Sequence, residues 1–178
     1  MLKSGQTVFL DRDGTINTSP KEGQYVQKPE DLTLEPLAGK AIALFNGAGM
    51  RTVILTNQRG IARGLMTEGD LTAIHERLVE LLAAEGARVD GILHCPHQVG
   101  ECRCRKPGPG LFELAEREIE GVRIFGSAMV GDSDLDVLAG SNLGITTVRV
   151  GATAGEASPS PTFSAPTLWD AARILVGE

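Results

Sequence analysis

The chain has 178 residues, of which 42% are hydrophobic and 22% charged, and these values are typical of one compact globular domain with a buried core. Its formal net charge of −6 gives no basic excess, so nucleic acid is not expected as a partner. The N-terminal residues lack the apolar core of a signal peptide, and no apolar run approaches the roughly 20 residues that span a bilayer. The sequence therefore predicts a cytoplasmic protein without a membrane partner.

Strand and helix patterns alternate along the chain. In the first half they predict a strand at 6–10, a helix at 36–48, a strand at 51–55, a helix that begins with a capping box at Thr67 and Asp70, and a strand at 89–93. In the second half they predict a helix at 111–119, a strand at 128–131, a helix that begins at 135–139, a strand at 146–150, and a last helix at 168–176. The stretch at 151–166 is rich in Ala, Ser, Pro and Thr and predicts a surface loop.

This alternation is typical of βαβ units. We therefore expect a single Rossmann-like, three-layer α/β domain over residues 1–178, with a mainly parallel sheet covered by helices on both faces. In such sheets, ligands bind beyond the carboxyl ends of the strands. Polar segments that begin at predicted strand ends are therefore the candidates for a functional site.

The first such segment reads DRDGT at 11–15, directly after the first predicted strand. Its two carboxylates repel each other unless a cation neutralises them, and carboxylate oxygens are ligands of hard divalent metals. A solvated acidic turn is the alternative, because short strings of this kind recur by accident. Asp132 follows the fourth predicted strand and is a further candidate ligand. An acidic helix start is sufficient to explain Asp134 and also accounts for Asp136.

Thr56 and Asn57 follow the second predicted strand, and Lys106 lies in a later loop. A hydroxyl, an amide and an ammonium group suit the binding of phosphoryl oxygens. Each is a weak signal by itself, because Thr-Asn after a strand is common turn chemistry and a lone lysine is usually solvated.

Taken together and in chain order, these segments resemble the motifs of the haloacid dehalogenase-like phosphatases. The matching pieces are DRDGT at 11–15, the threonine of LTN at 55–57, Lys106, and GDSDLD at 131–136. The resemblance extends over most of the chain, from about residue 6 to about residue 150.

The resemblance implies a phosphatase that forms an aspartyl-phosphate. Asp11 would be the nucleophile and Asp13 the general acid and base. Mg²⁺ would bind Asp11, the main-chain carbonyl of Asp13, and Asp132, while Thr56 and Lys106 would hold the phosphoryl group.

All three cysteines lie in one short segment, together with a histidine. Cys95, His97, Cys102 and Cys104 provide the four ligands of a closed, tetrahedral structural Zn²⁺ site. Buried free thiols or a redox pair are the alternatives. His75 and the neighbouring His94 are interpreted as structural or exposed histidines.

The string CPH…CRCRKP resembles the zinc-loop branch of the same superfamily, which contains the heptose bisphosphate phosphatases and the histidinol phosphatases. Only 45 residues separate Asp11 from Thr56 and 50 separate Thr56 from Lys106, so there is no room for a separate cap domain. The loop at 56–64 is similar to that of the heptose enzymes, which implies that Arg63 and Arg105 bind a second phosphate.

Other features of the sequence leave alternatives open. The short zinc loop is similar to that of histidinol phosphatases, Ser133 replaces a lysine of many heptose enzymes, and a solvated loop arginine is the alternative for Arg63. The expected partner is a small phosphorylated sugar and the expected state a monomer. A phosphate-accepting receiver domain, a binding module without activity, and a phosphatase of nucleic-acid ends are the competing classes. A nucleophile on the first strand and the absence of a basic patch disfavour the first and third.

Overall fold

A computed structural model describes residues 1–21, 24–151 and 159–178 of the chain. Within these residues, six strands form one sheet: β1 Thr7–Leu10, β2 Arg51–Asn57, β3 Gly91–Cys95, β4 Ala128–Gly131, β5 Thr146–Val150 and β6 Phe163–Ala165. The same residues form five α-helices: α1 Ala38–Gly47, α2 Glu68–Ala84, α3 Gly110–Glu118, α4 Asp134–Asn142 and α5 Leu168–Val176. A short 3-10 helix lies at Pro29–Asp31.

The sheet is parallel throughout and has the order β3-β2-β1-β4-β5-β6. From β1 the chain adds β2 and then β3 on one side, and it then returns to add β4, β5 and β6 on the other side of β1. Leu10 at the end of β1 is in register with Ile54 of β2 and Val130 of β4. The carboxyl ends of these three strands therefore meet at one edge, at the point where the strand order reverses, which is where open α/β sheets bind ligands.

Helices cover both faces of the sheet, because residues in each strand alternate between two apolar clusters. Val8 and Leu10 point to the face covered by α1, α2 and α5. Phe9, between them, points to the face covered by α3 and α4, where its ring lies 4.9 Å from that of Phe112 in an edge-to-face arrangement. The predicted three-layer α/β fold is confirmed. No described helix is long and apolar enough to cross a membrane.

The main correction concerns the predicted loop at 151–166. Its end forms β6, which pairs with β5, although two of the three β6 residues are exposed. Residues 152–158 of that loop lie outside the described part of the chain. The first helix begins at Ala38 rather than at residue 36, because Leu37 adopts a left-handed conformation with φ 63°. The capping box of Thr67 and Asp70 is present at the start of α2, as predicted.

The buried aromatic pair gives a stability prediction. Phe112 is fully buried, so Phe112→Ala should lower the free energy of unfolding by about 3–5 kcal/mol in urea denaturation. Phe125 is 94% exposed and provides a matched control whose replacement by alanine should change stability by less than about 0.5 kcal/mol. Similar losses for the two variants would contradict this description of the core.

Candidate active site

Three carboxylates converge at the edge where β1 and β4 end. Asp11 directly follows β1, Asp132 follows β4, and Asp136 lies in the first turn of α4. One oxygen from each lies within 4.8 Å of the others. Gly14, with φ 81°, allows this approach, since a side chain at position 14 would overlap the Asp132 carboxylate.

A buried lysine bridges two of these carboxylates. The Lys106 ammonium group is only 2% exposed and donates hydrogen bonds to Asp11 Oδ1 at 2.7 Å and to Asp136 Oδ1 at 2.6 Å. Its main chain is held by the side chain of Asn57, at the end of β2. The Lys106 N–H donates to Asn57 Oδ1 at 3.0 Å, and Asn57 Nδ2 donates to the Lys106 carbonyl at 3.1 Å. Asn57, a predicted phosphate ligand, thus positions Lys106 in this structure.

The charges of this cluster are unbalanced without a cation. One ammonium against three carboxylates leaves an excess of two negative charges. Burial, followed by the charge of Asp136, raises the pKa of Asp132 to about 6, and burial raises the pKa of Asp11 to about 7 although Lys106 opposes this. Burial favours the neutral amine of Lys106, but the attraction of Asp11 and then Asp136 raises its pKa to about 12. A divalent cation with oxygen ligands fits both the charge and the donor set.

Asp13 has different partners from Asp11. Its carboxylate accepts hydrogen bonds from Arg12 Nη2 at 2.9 Å to both oxygens, from Asn17 Nδ2 at 2.9 Å, and from Gln58 Nε2 at 2.9 Å. Gln58 Nε2 also lies 2.7 Å from the hydroxyl of Thr56. The predicted acid-base residue is therefore connected through one amide to the predicted phosphate-binding threonine.

Arg59 and Arg63 lie in the loop that follows β2, and both contact Tyr25. Burial favours the neutral phenol of Tyr25, but hydrogen bonds from Arg59 and Arg63 lower its pKa. Among the described residues, Arg59 Nε and Arg105 Nη1 are buried N–H donors without a hydrogen-bond acceptor. Buried donors of this kind suit an anionic ligand, because an unsatisfied donor costs free energy. Arg63, in contrast, is exposed.

The Cys/His group predicted to bind zinc converges on one point. The donor atoms of Cys95, His97, Cys102 and Cys104 lie 3.2–3.6 Å apart in the five pairs that are within hydrogen-bonding range. This separation allows one ion to contact all four, and three thiolates with one imidazole are a zinc ligand set. The ring of His94 lies elsewhere and is hydrogen-bonded to Glu68 Oε2 at 2.8 Å, as expected for a histidine outside the cluster.

Sequence reasoning missed several residues of the site, namely Arg12, Asn17, Gln58 and Asp136 in its contact with Lys106. Asp136 also caps α4 together with Ser133, so the helix-start interpretation is correct but incomplete. The position of Asp136 three residues after Ser133 was a usable signal for the capping contact, but not for the contact with Lys106. Arg12 and Gln58 gave no comparable signal.

Comparisons with known proteins identify the family of this chain. Residues 103–171 match the model of the HAD-hydrolase-like family. The D-glycero-beta-D-manno-heptose-1,7-bisphosphate 7-phosphatase of Rhodopseudomonas palustris is 39% identical over 151 residues, covering 79% of this chain and 81% of the relative. The D-glycero-alpha-D-manno-heptose-1,7-bisphosphate 7-phosphatase of Burkholderia mallei is 36% identical over 154 residues, covering 80% and 77%.

A solved structure extends the similarity to the whole fold. The D,D-heptose 1,7-bisphosphate phosphatase of B. bronchiseptica, complexed with magnesium and phosphate, superimposes with a TM-score of 0.83 at 32% identity, over 97% of this chain and 98% of that one. The chain therefore belongs to the haloacid dehalogenase-like phosphatases, and within them to the family of the heptose-1,7-bisphosphate 7-phosphatases.

The raised carboxylate pKa values predict a pH-dependent effect of magnesium on stability. The folded-state pKa values of Asp11 and Asp132, about 7 and about 6, lie above the usual 3.8, so their contribution to stability in magnesium-free protein is lost as the pH rises through this range. Mg²⁺ binds the ionised carboxylates and should therefore raise the melting temperature more at pH 8 than at pH 5. At a concentration 100 times its Kd we expect a shift of about 5–10 °C at pH 8.

The control for this measurement is Asp132→Asn, which removes one charge of the cluster and should abolish most of the magnesium shift. Equal shifts at the two pH values, or an undiminished shift in the variant, would contradict the assignment of the cluster as a cation site.

Proposed function

We propose that this phosphatase hydrolyses its substrate through a phosphorylated Asp11. The observation that supports this most strongly is the position of Asp11, at the end of the central strand and 2.7 Å from the buried Lys106 ammonium group. This contact orients the Asp11 carboxylate for attack on phosphorus. It also places a fixed positive charge beside the position where the phosphoryl oxygens gain charge in the transition state.

The reaction has two steps. A carboxylate oxygen of Asp11 attacks phosphorus, the ester P–O bond breaks, and protonated Asp13 gives its proton to the leaving alkoxide. Ionised Asp13 then takes a proton from a water molecule, which attacks the phosphorus of the aspartyl-phosphate. The bond from phosphorus to Asp11 breaks, inorganic phosphate is released, and the Asp11 carboxylate and protonated Asp13 are regenerated. Thr56 and Lys106 bind the phosphoryl oxygens in both steps.

In this proposal, Mg²⁺ is held by Asp11, the main-chain carbonyl of Asp13, and Asp132. When bound, the cation offsets the negative charge that the carboxylates and the phosphoryl group bring together. Asp136 is close enough to influence this site, but its oxygen is already bonded to Lys106.

For the substrate we propose D-glycero-D-manno-heptose 1,7-bisphosphate, with loss of the 7-phosphate. The names of the relatives support this choice, and they include both the beta and the alpha anomer. Arg59 Nε and Arg105 Nη1 add support, because buried donors without an acceptor in the described part of the chain suit a second phosphate that does not react. We place Arg63 at the rim of this region, and we keep a monomeric, cytoplasmic enzyme as a prediction.

Phosphate release from both anomers of the bisphosphate, from the heptose 7-phosphate and from histidinol phosphate tests the substrate proposal. We expect kcat/KM for the better bisphosphate anomer to exceed that for the two monophosphates by about 100-fold, equivalent to about 2.7 kcal/mol of selective transition-state binding. Arg105→Gln should reduce this preference to about tenfold or less, because one guanidinium contact to the second phosphate is lost. Asp11→Asn serves as the blank.

Arg103→Gln is the matched control, since Arg103 lies in the same loop but its side chain is 80% exposed and pairs with Glu113. It should keep the wild-type preference. A preference for histidinol phosphate would retain the mechanism but remove the roles given to Arg63 and Arg105. If both Arg105→Gln and Arg103→Gln lost the bisphosphate preference, the preference would arise from the total positive charge of the loop and not from a specific contact of Arg105.

We propose a structural zinc ion on Cys95, His97, Cys102 and Cys104. The loop that these residues close leads directly into Arg105 and Lys106, so the ion would fix the approach of both residues to the phosphate. A closed four-ligand site leaves no open position for water or substrate, which gives the ion a structural role.

Replacement of one histidine tests the zinc proposal against a neighbour in the same segment. His97→Gln should reduce bound zinc from about one equivalent to well below half, measured by metal analysis of the purified protein, and should lower the melting temperature. His94→Gln, which alters the contact with Glu68 but no proposed ligand, should keep its zinc. Wild-type protein without zinc, or equal zinc in the two variants, would contradict the site.

A further inference from the structure

A buried arginine lies immediately behind the proposed acid-base residue. The Arg12 side chain has no solvent exposure, and its partner in an ion pair is Asp13, whose side chain is 21% exposed. Arg12 Nη2 and Nε lie 2.9 and 3.2 Å from Asp13 oxygens. A buried guanidinium group is stable only when its charge and its N–H groups are satisfied, so Arg12 holds this carboxylate strongly.

The remaining side of the guanidinium group contacts a histidine on α2. Arg12 Nη1 lies 3.2 Å from His75 Nε2, and the two residues are 63 positions apart in the chain. Burial, followed by the charge of Arg12, lowers the pKa of His75 to about 3. The imidazole is therefore neutral at working pH, and Nε2 accepts the hydrogen bond from Arg12.

The main chain fixes the other end of Arg12. Its carbonyl lies within 3.4 Å of the N–H groups of Thr15, Ile16 and Asn17, which closes the turn after β1. With the backbone held by this turn and Nη1 held by His75, the plane of the guanidinium group has one orientation, and this orientation presents Nη2 and Nε to Asp13.

We propose that Arg12 and His75 form a buried positioning pair that fixes the Asp13 carboxylate for proton transfer to the leaving group. This inference rests on the proposed role of Asp13 as general acid and base. His75 lies on a different element from the reacting groups, and it acts through Arg12. Asn17 and Gln58 also bind Asp13, but each provides a single neutral donor, whereas Arg12 provides a two-pronged charged contact.

Rates on two kinds of phosphate ester distinguish a role of Arg12 and His75 in proton transfer from a role in packing alone. An alkyl phosphate needs a proton on its leaving oxygen, whereas a nitrophenyl phosphate releases a stable phenolate without one. Loss of Asp13 positioning should therefore slow attack on an alkyl ester far more than the first turnover of a nitrophenyl ester. Simple loss of packing should slow both.

The experiment compares a sugar phosphate and 4-nitrophenyl phosphate with wild type, Arg12→Lys, His75→Leu and His75→Gln, with Asp13→Asn as the reference. Arg12→Lys should lower kcat on the sugar phosphate about 100-fold, and His75→Leu about tenfold, with KM within about twofold. The rate of the pre-steady-state nitrophenolate burst should fall less than about threefold in both. His75→Gln keeps an acceptor and should recover activity to within about threefold of wild type.

Two control variants separate positioning from stability. Arg51→Gln removes a different arginine-carboxylate pair, with Asp90, and Glu76→Gln changes a neighbour of His75 on α2. Both should retain wild-type rates on both esters. Thermal melts followed by circular dichroism identify variants that fail to fold. If Arg12→Lys does not fold, the comparison of His75→Leu with His75→Gln tests the positioning role by itself.

Equal losses on the two esters, or a His75→Gln variant as impaired as His75→Leu, would overturn the positioning pair. Wild-type rates in both His75 variants would also overturn it. The proposed role of Asp13 fails separately: in that case Asp13→Asn itself would show no difference between the alkyl and the nitrophenyl ester.

Discussion

The site depends on one buried ammonium group. Lys106 lies between Asp11 and Asp136 with almost no exposure, and each carboxylate comes from a different part of the fold. Removing one partner from a buried ion pair typically costs about 3–5 kcal/mol, because the remaining charge is left uncompensated. The end of β1, the first turn of α4 and the loop after β3 must therefore meet at this point, and Asn57 fixes the main chain that delivers the lysine.

The two aspartates of the first motif are separated by one residue, yet they have unlike partners. Asp11 is paired with a buried ammonium group, and Asp13 with a buried guanidinium group. The intervening Arg12 points to the α2 side, where His75 contacts it. Carboxylates in distinct environments can perform distinct roles, and in the proposed mechanism Asp11 attacks phosphorus while Asp13 transfers protons. Gln58 connects Asp13 to the hydroxyl of Thr56.

Most of the fold could be predicted from the sequence, because the strands that form the centre of the sheet are short, apolar and rich in β-branched residues. The edge strand β6 could not, since its three residues are mostly exposed and follow a stretch rich in Ser and Pro. Asp11, Asp132 and the zinc-loop residues were identifiable because their signals are local. Asp136 and Arg12 were not, because their contacts span 30 and 63 residues and only the packed structure brings Lys106 and His75 to them.

Acid-quench mass spectrometry tests most directly whether Asp11 carries the phosphoryl group during turnover. Wild type and Asp13→Asn would be mixed with 4-nitrophenyl phosphate and Mg²⁺, quenched during the first turnover and mapped by peptide. We predict a phosphoryl adduct on the peptide that contains Asp11, which accumulates further in Asp13→Asn because water attack is slowed, and which is absent from Asp11→Asn. Nitrophenolate release without any adduct, or an adduct on another residue, would contradict the account.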